Sequence, residues 1–148
     1  MLVGEAPGET EDRLGLPFIG RSGKWLQKCI NVLGLKNNVY ITNVVKCKPP
    51  NNRKPKWKEI GACSKYLMSE IKLLNPKVIV AMGKVATEAL AFKSIRGSEG
   101  AFFRNSELGN YYCISTWHPA YCLRTGRPTT TEFFEHLKLA KRFIWKVT

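Results

Sequence analysis

Acidic side chains are scarce in this sequence. Only 11 of its 148 residues are Asp or Glu, against 24 Lys and Arg, which leaves a formal net charge of +13. Such a surplus favours a polyanionic partner, because a cation that neutralises a phosphate releases bound counterions. Long apolar runs are missing too. No stretch approaches the roughly 18 residues that span a bilayer, so no membrane partner is expected. The opening Met1-Leu2-Val3-Gly4 lacks the basic and extended apolar regions of a secretory leader. A soluble, intracellular, cytoplasmic protein is therefore expected. The five cysteines, Cys29, Cys47, Cys63, Cys113 and Cys122, include no CxxC pair. An odd count without a leader argues against a disulfide framework. Internal repeats, linkers and low-complexity tracts are absent. So are the Gly-Lys-Ser/Thr of a phosphate-binding P-loop and the glycine spacing of a dinucleotide fold.

What remains is an ordinary globular mixture, 44% hydrophobic and 24% charged, which excludes a disordered chain. The length suits one domain over residues 1–148, able to bury about 70% of its unfolded surface. A monomer is expected. The charges are not spread evenly. Glu5, Glu9, Glu11 and Asp12 cluster near the start. Lys46, Lys48, Arg53, Lys54, Lys56 and Lys58 follow one another with no acid between them. Separated signs of this kind can steer an anionic ligand, although a solvated basic face produces the same pattern.

Four segments read as buried strands bounded by breakers: Met1 to Val3, Val39 to Val45, Lys77 to Met82, and Tyr111 to Thr116. Helical periodicity fills the gaps. Trp25, Leu26, Cys29, Ile30 and Leu33 recur at helix spacing before Gly34. Ile60, Cys63, Leu67, Ile71 and Leu74 do so before Asn75-Pro76. Val85 to Leu90 forms a shorter helix, and Glu132 to Trp145 a last one. Alternating strands and helices imply an α/β three-layer sandwich, with a central four-stranded parallel sheet and helices on both faces. Ligands of such sheets bind beyond the carboxyl ends of the strands.

Four motifs stand at those ends. Gly4-Glu5-Ala6-Pro7-Gly8 is a tight turn where backbone amides can approach a ligand. In Leu16 to Gly23, Phe18 sits between breakers. It either stacks on a base, worth about 1–3 kcal/mol, or staples the loop to the core. The amides at Ser22-Gly23, where a helix starts, can hold a phosphate. Asn43, in Thr42 to Pro50, carries a carboxamide that presents donor and acceptor together, as pairing with a base edge requires; it can equally be a turn former. His118, in Trp117-His118-Pro119-Ala120-Tyr121, can donate to an oxygen that becomes anionic as a glycosidic bond breaks, or can be structural. Tyr121, Cys122, Leu123 and Arg124 follow, an apolar wedge next to a base that fits a segment entering DNA.

Together these pieces resemble the family-4, iron–sulfur type of the uracil-DNA glycosylase superfamily. The resemblance rests on GEAPGETED (Gly4 to Asp12), PFIGRSG (Pro17 to Gly23), TNVVKCKPPNNR (Thr42 to Arg53), PKVIVAMG (Pro76 to Gly83) and HPAY (His118 to Tyr121), in family order across almost the whole chain. It implies a hydrolase that removes uracil from single- or double-stranded DNA by breaking the N-glycosidic bond, the first step of base-excision repair. Phe18 is implied to stack on the flipped uracil, Asn43 to read its edge and His118 to face O2. Gly4, Glu5 and Ala6 lie in the turn that shapes the pocket. Where some related families carry a water-activating aspartate, Ala6 has no carboxylate, so water orientation falls to Glu5, to Glu11 or to no side chain. Gly8 stands where the best-known family has a bulky tyrosine against thymine. Ser22, Tyr121, Leu123 and Arg124 are the implied DNA contacts. Cys47 and Cys63 resemble two of the four thiolates that hold a [4Fe–4S] cluster in the family.

Family members usually carry a CxxC pair ahead of the first strand, whereas this sequence opens inside that strand. Either the chain is shortened at its start, as a fragment, or the protein works without the cluster; if the cluster is lost, a loosely held Lys48 to Lys58 region and a frayed first strand are expected. The alternative to an enzyme is a catalytically impaired binding module of the same fold. A third reading, a nucleotide- or phosphate-binding enzyme built on the Gly4 to Gly8 turn, predicts a preference for mononucleotides; Glu9, Glu11 and Asp12 can bind magnesium there, although acids at a helix or loop start are usually just solvated.

Overall fold

A computed structural model describes residues 1–91, 99–109 and 111–145. Its centre is a sheet of strands β1 (Leu2–Gly4), β2 (Ile41–Asn43), β3 (Val78–Met82), β4 (Phe102–Asn105) and β5 (Tyr111–Thr116), in the order β2-β1-β3-β5-β4. The first four in that order are parallel. Six helices accompany them among the described residues: α1 (Glu9–Leu14), α2 (Arg21–Val32), α3 (Trp57–Leu74), α4 (Lys84–Ala91), α5 (Pro119–Thr125) and α6 (Thr129–Trp145).

Side chains alternate across a strand, so β3, buried along its whole length, feeds two cores. Val78, Val80 and Met82 pack with Leu26 and Ile30 of α2, Cys122 of α5, and Phe133 and Leu137 of α6. Ile79 and Ala81 pack with Ile60, Leu67 and Ile71 of α3 and with Val85, Ala86 and Leu90 of α4. Two apolar layers on opposite faces of one sheet give the expected sandwich. No helix among the described residues is long and apolar enough to cross a membrane.

The sheet departs from expectation at its edges. It has five strands, because Phe102–Asn105 adds an antiparallel edge to β5. That segment has no alternating apolar pattern, and Phe102 is 48% exposed. Its place comes from pairing with β5, with the Arg104 guanidinium 3.9 Å from the Tyr112 ring centroid. The expected Val39 to Val45 strand is shorter, only Ile41–Asn43. Val44 and Val45 are buried all the same, and their amides donate to the carbonyls of Gly4 and Glu5. The apolar run therefore marks burial of a bend and not further strand. α1 buries no side chain, so it had no periodic face to betray it.

The first strand is not a frayed edge. It lies between β2 and β3, and the Met1 amine donates to Val78 O at 2.9 Å. The segment before α3 is anchored as well. Arg53 makes two hydrogen bonds to the Glu59 carboxylate, at 2.8 and 2.6 Å, and Glu59 also accepts from the Lys56 amide at 2.7 Å. The Glu59 carboxyl is thereby held down at about 2, chiefly by Arg53.

Candidate active site

The carboxyl ends of β1, β2 and β5 open onto one cavity of about 490 Å³. β1 delivers the turn Glu5 to Gly8, β2 delivers Asn43, and β5 leads through Trp117 to His118. All of these except Trp117 line the cavity, together with Glu11, Phe18, Ser22, Tyr121 and Arg124. Of the residues singled out in the sequence for substrate or DNA, Gly4, Gly23, Cys122 and Leu123 are not among the lining, and Cys122 is buried in the core. Gly4 sits immediately beneath. A Cβ there would collide with the Phe18 ring and with Asn43 Oδ1, so only glycine lets these two close over β1.

Phe18 is 5% exposed and has a left-handed backbone, φ +52°. A bulky residue pays about 1–2 kcal/mol for that conformation, so something must hold it. Glu11 does. Its Oε1 accepts from the amides of Ile19 at 3.0 Å and Gly20 at 2.7 Å, the two residues after Phe18. From the other side, Gly23 leaves no room for a Cβ against the Phe18 backbone. The ring is thus fixed 6.0 Å, centroid to centroid, from that of His118, with the planes at 35°. This commits Glu11 to the loop. Its Oε2 faces Gly8, where an added Cβ would come within 2.9 Å of it.

Asn43 is 5% exposed, and its Oδ1 is buried with no hydrogen-bond partner among the described residues. Leaving a buried acceptor unpaired costs about 1–3 kcal/mol, and native proteins seldom accept this without a reason. The residue is held from behind. Lys46 donates to Asn43 O at 2.9 Å, to Thr42 Oγ1 at 2.6 Å and to Glu70 at 2.8 Å. Lys46 and Glu70 carried no legible signal in the sequence beyond charge.

His118 caps α5, its Nδ1 accepting from the Ala120 amide at 3.2 Å. Burial lowers its pKa to about 4, with the Arg124 charge adding to the shift. The ring is therefore neutral at physiological pH. With Nδ1 accepting, Nε2 carries the proton and serves as a donor. Burial raises the Glu5 carboxyl, and Lys54 partly opposes that.

Tyr121 stacks on Trp117, with centroids 5.1 Å apart and planes at 19°, and Trp117 Nε1 donates to Glu132 at 2.6 Å. Leu123 does not line the cavity with Tyr121 and Arg124. It lines a neighbouring groove beside Trp25. The basic segment supplies Pro49, Asn52, Arg53 and Lys54, to none of which the sequence pattern assigned a site role, to the cavity wall.

Cys47 and Cys63 are placed elsewhere. Cys47 is exposed on the loop after β2; Cys63 is half-buried on α3, against the second core. Cys29, Cys113 and Cys122 are buried. Among the described residues no group of three or more His, Cys, Asp or Glu side chains is placed to hold a metal ion. Two thiolates are half of a four-thiolate set, so the residues described do not by themselves fit a [4Fe–4S] cluster.

Comparison with known proteins agrees with the geometry. Residues 1–139 match the model of the uracil DNA glycosylase superfamily. The type-4 uracil-DNA glycosylase of Thermotoga maritima is 39% identical over 99% of this chain and 78% of its own length. That of Saccharolobus solfataricus is 44% identical over 83% of this chain and 61% of its own. A type-5 uracil-DNA glycosylase of Pyrobaculum aerophilum is 34% identical over 95% of this chain and 70% of its own. The chain thus spans part, not all, of the length of these relatives.

Proposed function

The chain belongs to the uracil DNA glycosylase superfamily, and from that membership we propose that it removes uracil from DNA by hydrolysing the bond between the base and deoxyribose. We take it to act as a single domain and a monomer, in the cytoplasm. The observation that carries the reading is the unpaired Asn43 Oδ1 beside the Phe18 ring. A uracil flipped into the cavity brings an N3–H donor to that acceptor. It also brings an O4 acceptor to the amide of the same side chain. Phe18 then covers the face of the base. Cytosine has no proton on N3 and an amino group in place of O4, so it mismatches both halves of the carboxamide. Beside Gly8, the space a side chain would take is occupied by Glu11 Oε2.

In this reading, bond breaking leaves the electron pair on uracil and negative charge on O2. The His118 Nε2–H donates there. A neutral imidazole suits the task, since it stabilises the anion without giving up its proton to solvent. The electron-poor sugar carbon bonds the oxygen of a water molecule, whose released proton passes by way of Glu5 to the uracil anion or to solvent. Glu5 is the carboxylate free to orient that water, and its raised pKa makes it the stronger base. Glu11 acts as a positioning residue, through Phe18. Ser22, Tyr121 and Arg124 hold the strand at the rim. No step runs through Cys47 or Cys63.

The test is release of free base from a single-stranded oligonucleotide carrying one uracil, with thymine and cytosine in the same position as controls. Release of uracil alone is expected. Tight uracil-dependent binding without release would replace the enzyme by a binding module. Neither binding nor release would overturn both.

A further inference from the structure

Beyond the cavity, α2 presents a second surface that the reaction does not use. Arg21, Lys24 and Lys28 stand at spacings of three and four, which puts them on one helical face. All three are exposed, and none forms an ion pair among the described residues. They line a groove of about 490 Å³ with Ile19, Trp25 and Leu123. This groove is joined to the base cavity. A smaller concavity of about 310 Å³ shares Arg21 and Leu123 with the groove, and Ser22 and Arg124 with the cavity. The acids bordering that passage are already engaged. Glu9 pairs with Lys48, and Glu11 accepts the Ile19 and Gly20 amides. The passage therefore leads from a rim whose acids already have partners onto three cations that form no ion pair among the described residues.

The geometry points to this α2 groove as the track for the DNA backbone on one side of the flipped nucleotide, an inference that rests on the uracil reading of the cavity. Arg21 to Lys28 covers about 10 Å of helix axis, the length of about three phosphates on one strand of a duplex. The occupant is a nucleic-acid strand because the groove combines unpaired cations with an apolar floor, and because it is continuous with the cavity that takes the base. Leu123 and Trp25 give the sugars and bases between those phosphates an apolar surface.

The experiment is binding of oligonucleotides carrying a non-hydrolysable abasic analogue, measured against salt, for the full chain and for Lys24→Ala/Lys28→Ala. A charge-matched control, Lys65→Ala/Lys72→Ala, removes two exposed lysines from α3. Each lost phosphate contact lowers the slope of log affinity against log salt by about 0.7 on a single strand. The α2 variant should therefore lose about 1.4 of slope and bind about 25-fold more weakly at 0.1 M salt. The penalty should shrink as the flank on one side of the lesion is cut below about three nucleotides, and thermal melting should match the wild type. The control should keep the full slope. If the α2 variant keeps the wild-type slope, or if both variants lose the same slope at every flank length, the track is wrong while base excision stands. If the slope and length dependence appear but the wild type never releases the base from the matching uracil oligonucleotide, the track stands and the catalytic reading falls.

Discussion

Glu11 separates positioning from chemistry, and its two simplest variants should behave very differently. Its carboxylate accepts two amide protons, at 3.0 and 2.7 Å. Charge-assisted hydrogen bonds of this kind contribute about 1.5–3 kcal/mol each, and they oppose the cost of about 1–2 kcal/mol for the left-handed Phe18. In Glu11→Ala both bonds are lost and the loop is free to relax. Water will satisfy part of the deficit, so a loss of about 2.7 kcal/mol in the productive arrangement is expected, or about 100-fold in kcat/KM. Glu11→Gln keeps a carbonyl oxygen in the same place, and a neutral hydrogen bond still contributes about 0.5–1.5 kcal/mol. Its loss should stay below about tenfold. The assay is kcat/KM for uracil release from pH 5 to pH 9, for both variants and for Glu5→Gln. The acid limb should persist in both Glu11 variants and vanish in Glu5→Gln. If Glu11→Gln is as damaged as Glu11→Ala and loses the acid limb, Glu11 handles the water itself and the positioning argument is wrong.

Lys54 favours the ionised form of Glu5, so Lys54→Met should move the acid limb of activity to higher pH, as read from the same pH profiles. Gly4→Ala places a methyl against Phe18 and Asn43 Oδ1. It should cost about 1–3 kcal/mol of stability in urea melts and reduce uracil release at least 100-fold. His118 changes stability with a definite sign. An unfolded chain binds its proton near pH 6.5, whereas the folded chain does so only near pH 4. The stability from keeping it neutral is complete above pH 6.5 and is lost as pH falls through that window, by up to about 3 kcal/mol. His118→Asn, which cannot titrate, should flatten the urea-midpoint profile between those values.

Much of this was legible in the sequence, for identifiable reasons. Strands buried on both faces, such as Val78–Met82, read as unbroken apolar runs. Turns after them, such as Gly4 to Gly8, mark the end of the sheet where ligands bind. Phe18, Asn43 and His118 were visible because each interrupts the pattern around it. What stayed hidden depends on contacts distant in the chain. β4 is a strand because β5 pairs with it, and its own residues are half exposed. Glu11 was one of two candidates to orient water, and its hold on the loop appeared only when the structure set its carboxylate on the amides after Phe18. Lys46 and Glu70, 24 residues apart, meet only in the fold, where they brace Asn43. Leu123 followed Tyr121 into the expected wedge by sequence order. The short α5 sets it outside the base cavity, in the groove beside Trp25 and in the passage it shares with Arg124.

The central claim is that Asn43 and His118 together recognise uracil and carry off its charge. The most direct measurement compares alkali-sensitive cleavage at a single uracil in a labelled oligonucleotide by the wild type, Asn43→Ala and His118→Ala, each first shown to be folded. Cleavage by the wild type and a loss of at least 100-fold in both variants are expected. A folded wild type that leaves the uracil in place, or variants that cleave as it does, would contradict the claim.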